Sequence, residues 1–179
     1  MSVSPPSHAA VVIVGGGVVG CSIAYHLVKL GITDVLLLER KQLSGGTTWH
    51  AAGLVGQLRA TQNLTQLAKY STELYAGLEA ETGQATGFKQ NGSISLATNG
   101  ERLEELRRAA SMARVFGLAV EEIDRDDIRR MHPLLSVEDV VGGVFLPKDG
   151  QINPSDLTQA LAKGARAGGA TILENTKVT

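Results

Sequence analysis

Ala9-Ala10-Val11-Val12-Ile13-Val14-Gly15-Gly16-Gly17-Val18-Val19-Gly20 is the stretch whose reading decides the fold. A run of small aliphatic residues that ends at glycine reads as a buried parallel strand. Gly15, Gly17 and Gly20 stand in the spacing GxGxxG, and residues 18–30 read as a helix behind them. The three glycines do different things. Gly15 permits the tight strand-to-helix turn, Gly17 lets a pyrophosphate approach the backbone, and Gly20 lets the helix pack close on the strand. The phosphates would then meet free N–H groups at the positive end of the helix dipole. Residues 34–39 (DVLLLE) form a second buried strand that ends in Glu39, where a carboxylate can accept hydrogen bonds from ribose hydroxyls.

Composition narrows the classes around this turn. A chain of 179 residues with 43% hydrophobic residues can build a core, and 21 glycines without a Gly-X-Y period point to local use of glycine. A net charge of −1 with mixed signs leaves no electrostatic footprint for nucleic acid or an anionic membrane. Aromatic residues are only 4%, too few for a stacking platform. The longest apolar stretch, from Ala9 to Cys21, falls short of the roughly 20 residues a membrane helix needs and contains three glycines in a row. No Lys or Arg precedes Lys29, which argues against a secretory signal or an Arg-rich transit peptide. Cys21 is the single cysteine, so internal disulfides and cysteine zinc sites are excluded, and a cytoplasmic setting is expected. The mitochondrial matrix replaces it if the source is eukaryotic and the N-terminus is processed. His8, His26 and His132 show no metal-site spacing.

Farther along, Leu64, Leu67, Leu74, Tyr75 and Leu78 follow helical spacing over residues 63–82. Ser93-Ile94-Ser95-Leu96 alternates like a half-exposed strand, and Thr98 with Glu101 matches a capping box that opens a charged helix to Phe116. Asp124 caps a short helix ended by Pro133. Residues 140–146 read as a strand, Asn153-Pro154 starts a helix that runs to about Ala167, and residues 170–173 as a last strand. An order of this kind is neither alternating nor segregated, which predicts an α/β chain made of two interleaved domains.

An acid at Glu39 favours NAD or FAD over NADP, whose 2′-phosphate it would repel. An NAD-binding fold would continue into an amphipathic helix and a third strand. Instead Ser44-Gly45-Gly46-Thr47-Thr48-Trp49-His50-Ala51-Ala52-Gly53 follows, and its small residues and hydroxyls suit a backbone lying along an extended pyrophosphate and flavin. The balance favours FAD.

Thr48-Trp49-His50-Ala51-Ala52-Gly53, Gly87-Phe88-Lys89-Gln90-Asn91-Gly92-Ser93-Ile94, Pro133-Leu134-Leu135 and Asp149-Gly150-Gln151-Ile152-Asn153-Pro154 carry a broader likeness. Through them the chain resembles the amine-oxidising flavoproteins of the D-amino-acid oxidase type, within them the dimethylglycine and sarcosine dehydrogenase group. The resemblance implies a Rossmann-like FAD-binding domain of the glutathione-reductase type 2, interleaved with part of an α+β substrate domain. Residues 1–8 would be a leader, 9–85 the first part of the FAD domain, 86–146 the partial substrate domain, and 147–179 the continuation of the FAD domain.

The same resemblance implies that Gly15, Gly17, Val18, Val19, Gly20, Glu39, Arg40, Gly46, Thr47, Thr48, His50, Ala52, Gly53, Leu54 and Val178 bind the cofactor. His50 would bond to the 8α-methyl carbon of FAD, a role within reach of a neutral imidazole. Non-covalent FAD is the alternative, with Trp49 and His50 then packing under a loop. Thr47 and Thr48 would donate to the pyrophosphate or cap the loop.

Substrates would be N-methyl amino acids, oxidised by hydride transfer to the flavin. Electrons would pass to an electron-transfer flavoprotein or to oxygen, and tetrahydrofolate would belong to a region beyond Thr179. No residue suggests itself as a catalytic base or substrate carboxylate clamp, which the resemblance also places beyond Thr179. Two other readings stand beside this one: a non-catalytic subunit similar to the regulatory subunit of pyruvate dehydrogenase phosphatase, and an NAD-dependent dehydrogenase.

Overall fold

The computed structural model describes residues 5–179, so the first half of the expected leader lies outside the described residues. In chain order the elements are β1 (Val11–Val14), α1 (Val18–Lys29), β2 (Val35–Leu38), a 3₁₀ turn (Thr48–His50), β3 (Leu54–Val55), α2 (Gln62–Thr82), β4 (Ser93–Ala97), α3 (Gly100–Val115), β5 (Glu121–Ile123), α4 (Arg125–Met131), β6 (Gly142–Leu146), β7 (Gly150–Gln151), α5 (Pro154–Ala167) and β8 (Thr171–Leu173). They gather into two compact units. The first comprises the described residues through Leu54, with Tyr75–Phe88 and Ile152–Thr179; the second comprises Val55–Leu74 and Lys89–Gln151. Residues 55–74, which chain order groups with the first segment, therefore pack with the second.

The first unit is built on a parallel sheet in the order β1-β2-β8. Val11 to Val14 pair with Val35 to Leu38, and Leu36 to Leu38 pair with Thr171 to Leu173. Leu37 at the centre is fully buried, as a strand flanked on both edges requires. Against α1, which buries Gly20, Cys21, Ala24 and Tyr25, lies α5, which buries Leu157, Ala160, Leu161, Ala162 and Ala165. A Cβ on Gly164 would stand 2.7 Å from the Tyr25 ring, and one on Gly168 2.5 Å from Val28 Cγ2, so glycine sets how closely the two helices approach. Asn153 caps α5, accepting from Ser155 N at 3.0 Å and Asp156 N at 3.2 Å, with Pro154 in the first turn, as the sequence predicts. Tyr25 Oη donates to Glu81 at 2.7 Å and accepts from Lys29 Nζ at 2.9 Å, which ties α1 to the end of α2.

An antiparallel sheet in the order β4-β6-β5 forms the second unit. Alternation divides its two faces: Ala97, Val144 and Leu146 pack with Leu106, Ala110 and Ala113 of α3, while Ile94, Leu96 and Phe145 pack with Ile123, Ile128, Val137 and Val140. Buried Asp149 accepts from Gln57 N at 2.8 Å and from Ser93 Oγ at 2.7 Å, and so joins three segments of this unit. Asp124 caps α4 with the complete reciprocal box.

One expectation needs correction. The cap of α3 is Asn99, whose side chain accepts from Arg102 N at 2.8 Å, and not Thr98, because the helix begins one residue later than the Thr98/Glu101 pattern requires. On α2 the fully buried positions are Thr65, Thr72 and Leu78, whereas Leu64 and Leu67 are exposed. Thr72 can be buried because its hydroxyl donates to Ala68 O at 2.9 Å, and Thr65 because it bonds the Arg59 backbone. A search for apolar residues alone passes over such a face.

Candidate functional site

Strand β1 delivers the chain to Gly15, whose φ of +112° turns it into α1 while its N–H donates to Leu38 O at 2.8 Å. At Gly20 a Cβ would overlap the Gly15 carbonyl, so this glycine lets the first helical turn sit on the loop. Gly17 is the N-cap of α1 and offers no side-chain cap, and no acidic residue occupies the first turn, so the positive end of the helix dipole is left uncompensated by charge from its own segment.

Glu39 follows β2 directly. Its carboxylate accepts from Gly16 N at 2.7 Å and from Lys41 N at 2.8 Å, so it is held by two backbone donors. Each oxygen retains a further acceptor position for a ribose hydroxyl. Thr48, at the start of the 3₁₀ turn, accepts from Val18 N at 3.0 Å through Oγ1. Ser44 adopts φ +60° and donates its N–H to Gly16 O at 2.9 Å, which ties the loop back to the glycine turn.

These residues enclose a cleft of about 310 Å³ lined by Gly15, Gly17, Val18, Val19, Glu39, Arg40, Gly46, Thr47 and Thr48, with Lys41 and Gly45 beside them. A second cleft of about 250 Å³ shares Gly15, Glu39 and Arg40 and continues to Thr176, Lys177 and Val178. Ten of the sequence-predicted positions are thus brought to two adjoining clefts. Gly20 lies behind them, packed under the turn.

The other predicted positions stand apart from those clefts. His50 is exposed, its ring centroid 3.8 Å from that of Trp49 at a tilt of 33°. Ala52 is exposed, and Leu54 is 81% exposed. Gly53 is buried with φ +74°; its carbonyl accepts from Ile152 N at 2.8 Å, and a Cβ there would overlap Ile152 O. Lys41, Gly45, Thr176 and Lys177 were missed by sequence reasoning. Adjacency to Glu39-Arg40 and to Gly46 could have found Lys41 and Gly45. Thr176 and Lys177 arrive through tertiary pairing, with Thr176 N donating to Glu39 O at 2.8 Å, and no local pattern marks them.

Cys21 takes no part in this surface. Its buried thiol lies 3.8 Å from Gly16 O, and burial pushes its pKa up to about 12, which leaves it a packing residue. Among the described residues no cluster of His, Cys, Asp or Glu could hold a metal ion, and no helix is long and apolar enough to cross a membrane.

The clefts fit a dinucleotide. Gly17 contributes no Cβ to its lining, α1 points its amino end at it, and Glu39 stands at the junction of the two clefts. Comparison with known proteins agrees. Human sarcosine dehydrogenase is 40% identical over 175 residues, covering 97% of this chain and 19% of that protein. Human dimethylglycine dehydrogenase is 46% identical over 173 residues, covering 96% of this chain and 20% of that protein. The mouse pyruvate dehydrogenase phosphatase regulatory subunit is 41% identical over 177 residues, covering 99% of this chain and 20% of that protein. The chain thus spans about a fifth of the length of these relatives. Among solved structures, L-proline dehydrogenase from P. horikoshii superposes with a TM-score of 0.91 at 29% identity, covering 98% of this chain and 46% of that one.

The family model described as FAD dependent oxidoreductase matches residues 10–179, nearly the whole described chain. That match decides between the two dinucleotides left open by Glu39 in favour of FAD, and with the glycine turn, the acid at the second strand and the double cleft it places the chain in the FAD-dependent oxidoreductase family.

Proposed function

We propose that the full-length protein oxidises an N-methyl amino acid of the dimethylglycine or sarcosine type, and that this chain supplies its FAD cradle. The observation that carries the reading is the paired cleft around Glu39, set in a chain that is 40% identical to sarcosine dehydrogenase and 46% identical to dimethylglycine dehydrogenase. On this reading the first unit is the FAD-binding domain and the second is part of the substrate domain.

FAD, when bound, supplies the hydride acceptor. The chain's own residues hold it. The N–H groups of Gly17 and Val19 at the α1 amino end would take the pyrophosphate, since those of Gly15, Gly16 and Val18 are held by Leu38 O, Glu39 and Thr48; Glu39 would take the ribose hydroxyls, and Arg40 and Val178 flank the second cleft, where the adenine end would rest. Gly46, Thr47 and Thr48 border the first cleft, while Ala52, Gly53 and Leu54 lead the backbone away from the turn. His50 would carry a covalent bond to the cofactor. Its exposure supports that role, since a tether needs an imidazole that can be approached. The amine substrate, the electron acceptor and any folate chemistry belong to the whole protein, of which this chain matches a fifth in its relatives.

Denaturing the full-length protein in acid and imaging flavin fluorescence on a gel tests the attachment. A fluorescent band that disappears in His50→Ala is expected, and a dark wild-type band would overturn it. A second reading, a non-catalytic regulatory subunit, is favoured by the 41% identity to the phosphatase subunit, close to the 40% identity with sarcosine dehydrogenase. Reduction of the flavin by an added amine separates the two.

A further inference from the structure

We infer that Thr48 is a positioning residue that fastens the His50 turn to the phosphate end of α1, so that the same helix end that receives the pyrophosphate also fixes where the imidazole stands. The inference rests on the proposal that His50 carries the flavin.

Helix α1 begins without a capping side chain because its N-cap is Gly17. A serine or aspartate there would satisfy an orphan N–H, but would also place a Cβ in the cleft. The missing acceptor comes from 30 residues downstream, where Thr48 Oγ1 takes the N–H of Val18 at 3.0 Å. A Cβ on Gly17 would lie 3.0 Å from that same oxygen, so the glycine also makes room for the hydroxyl.

Thr48 belongs to two structures at once. Its side chain completes α1, while its main chain opens the 3₁₀ turn that ends at His50, with His50 N donating to Thr47 O at 3.2 Å and Ala51 N to Thr48 O at 3.1 Å. Two residues farther on, Gly53 is pinned by Ile152. The turn is therefore clamped on both sides of His50, by α1 before it and by the segment leading into α5 after it. Because the hydroxyl accepts from Val18, its own proton remains available to donate into the cleft.

Thr48→Val keeps the shape and removes the acceptor, and Thr48→Ser restores it. The full-length protein, made free of cofactor in a riboflavin-starved host, is first followed by amide hydrogen exchange. In Thr48→Val, exchange in the segments 17–21 and 46–53 should rise about five- to tenfold, as loss of a cap predicts, and Thr48→Ser should stay within about twofold of wild type. Saturating FAD is then added and acid-stable flavin fluorescence is timed. With FAD held at a concentration that saturates non-covalent binding in each variant, Thr48→Val should attach flavin at least about fivefold more slowly than wild type, and Thr48→Ser should match wild type.

Unchanged exchange in 46–53 overturns the inference, as does faster exchange spread over the whole chain, which would mark general destabilisation. An unchanged attachment rate in Thr48→Val overturns it too. A wild type with no acid-stable flavin overturns the attachment at His50 instead, and the exchange result still decides whether Thr48 fastens the turn.

Discussion

A methyl group on Gly20 would fall on the Gly15 carbonyl, whereas one on Gly17 would meet only the Thr48 hydroxyl at 3.0 Å. The two glycines should therefore fail differently. Gly20→Ala is expected to lower stability by about 2–3 kcal/mol, read as a thermal midpoint, with flavin lost because the fold is lost. Gly17→Ala, at an ordinary φ of −79°, should change stability by less than about 1 kcal/mol yet abolish flavin retention. Equal melting with retained flavin in Gly17→Ala would remove that residue from the cradle. Cys21, with its thiol pushed up to about 12 by burial, should resist a thiol reagent at about pH 8 in the native state and react fully in denaturant. At this scale the glycine spacing and Glu39 were legible because backbone sterics restrict which residues can stand there. The clamp by Thr48 was not, since a hydrogen bond between residues 18 and 48 leaves no local pattern.

Between elements, the Tyr25, Lys29 and Glu81 cluster binds α1 to the end of α2. Hydrogen bonds from Tyr25 and Lys29 hold the Glu81 carboxyl below its usual range, so its contribution is present above the ordinary carboxylate pKa and is lost as pH falls through the lowered folded-state value. With the side chain 44% exposed, solvent screening limits the effect to about 0.5 kcal/mol. Glu81→Gln should thus unfold slightly more easily than wild type at about pH 7, and the gap should close in acid; a gap that widened in acid would reverse the assignment. In the second unit, Asp149→Ala leaves the Gln57 N–H and Ser93 hydroxyl without their acceptor and should cost about 2–4 kcal/mol in denaturant unfolding. The helices were legible where a cap announced them, as at Asp124 and Asn153. Thr98 misled by one residue because Thr-x-x-Glu and the adjacent Asn99 both satisfy a start signal, and only the backbone selects between them. The short strands β3, β5 and β7, of two or three residues each, carry too little alternation to be read.

Over the whole chain, the sequence predicts two interleaved domains from element order, but it does not indicate that β8 pairs with β2, because nothing local distinguishes one buried aliphatic strand from another. The family match over residues 10–179 places the chain among FAD-dependent oxidoreductases, and the proposed oxidation of an N-methyl amino acid by the full-length protein is tested on its flavin. The most direct measurement mixes the purified full-length protein anaerobically with dimethylglycine or with sarcosine and follows the absorption band of its oxidised flavin. At least one of these amines should bleach the band, with release of the demethylated product. A flavin that stays oxidised with both amines, yet is reduced by dithionite, would contradict the proposed oxidation.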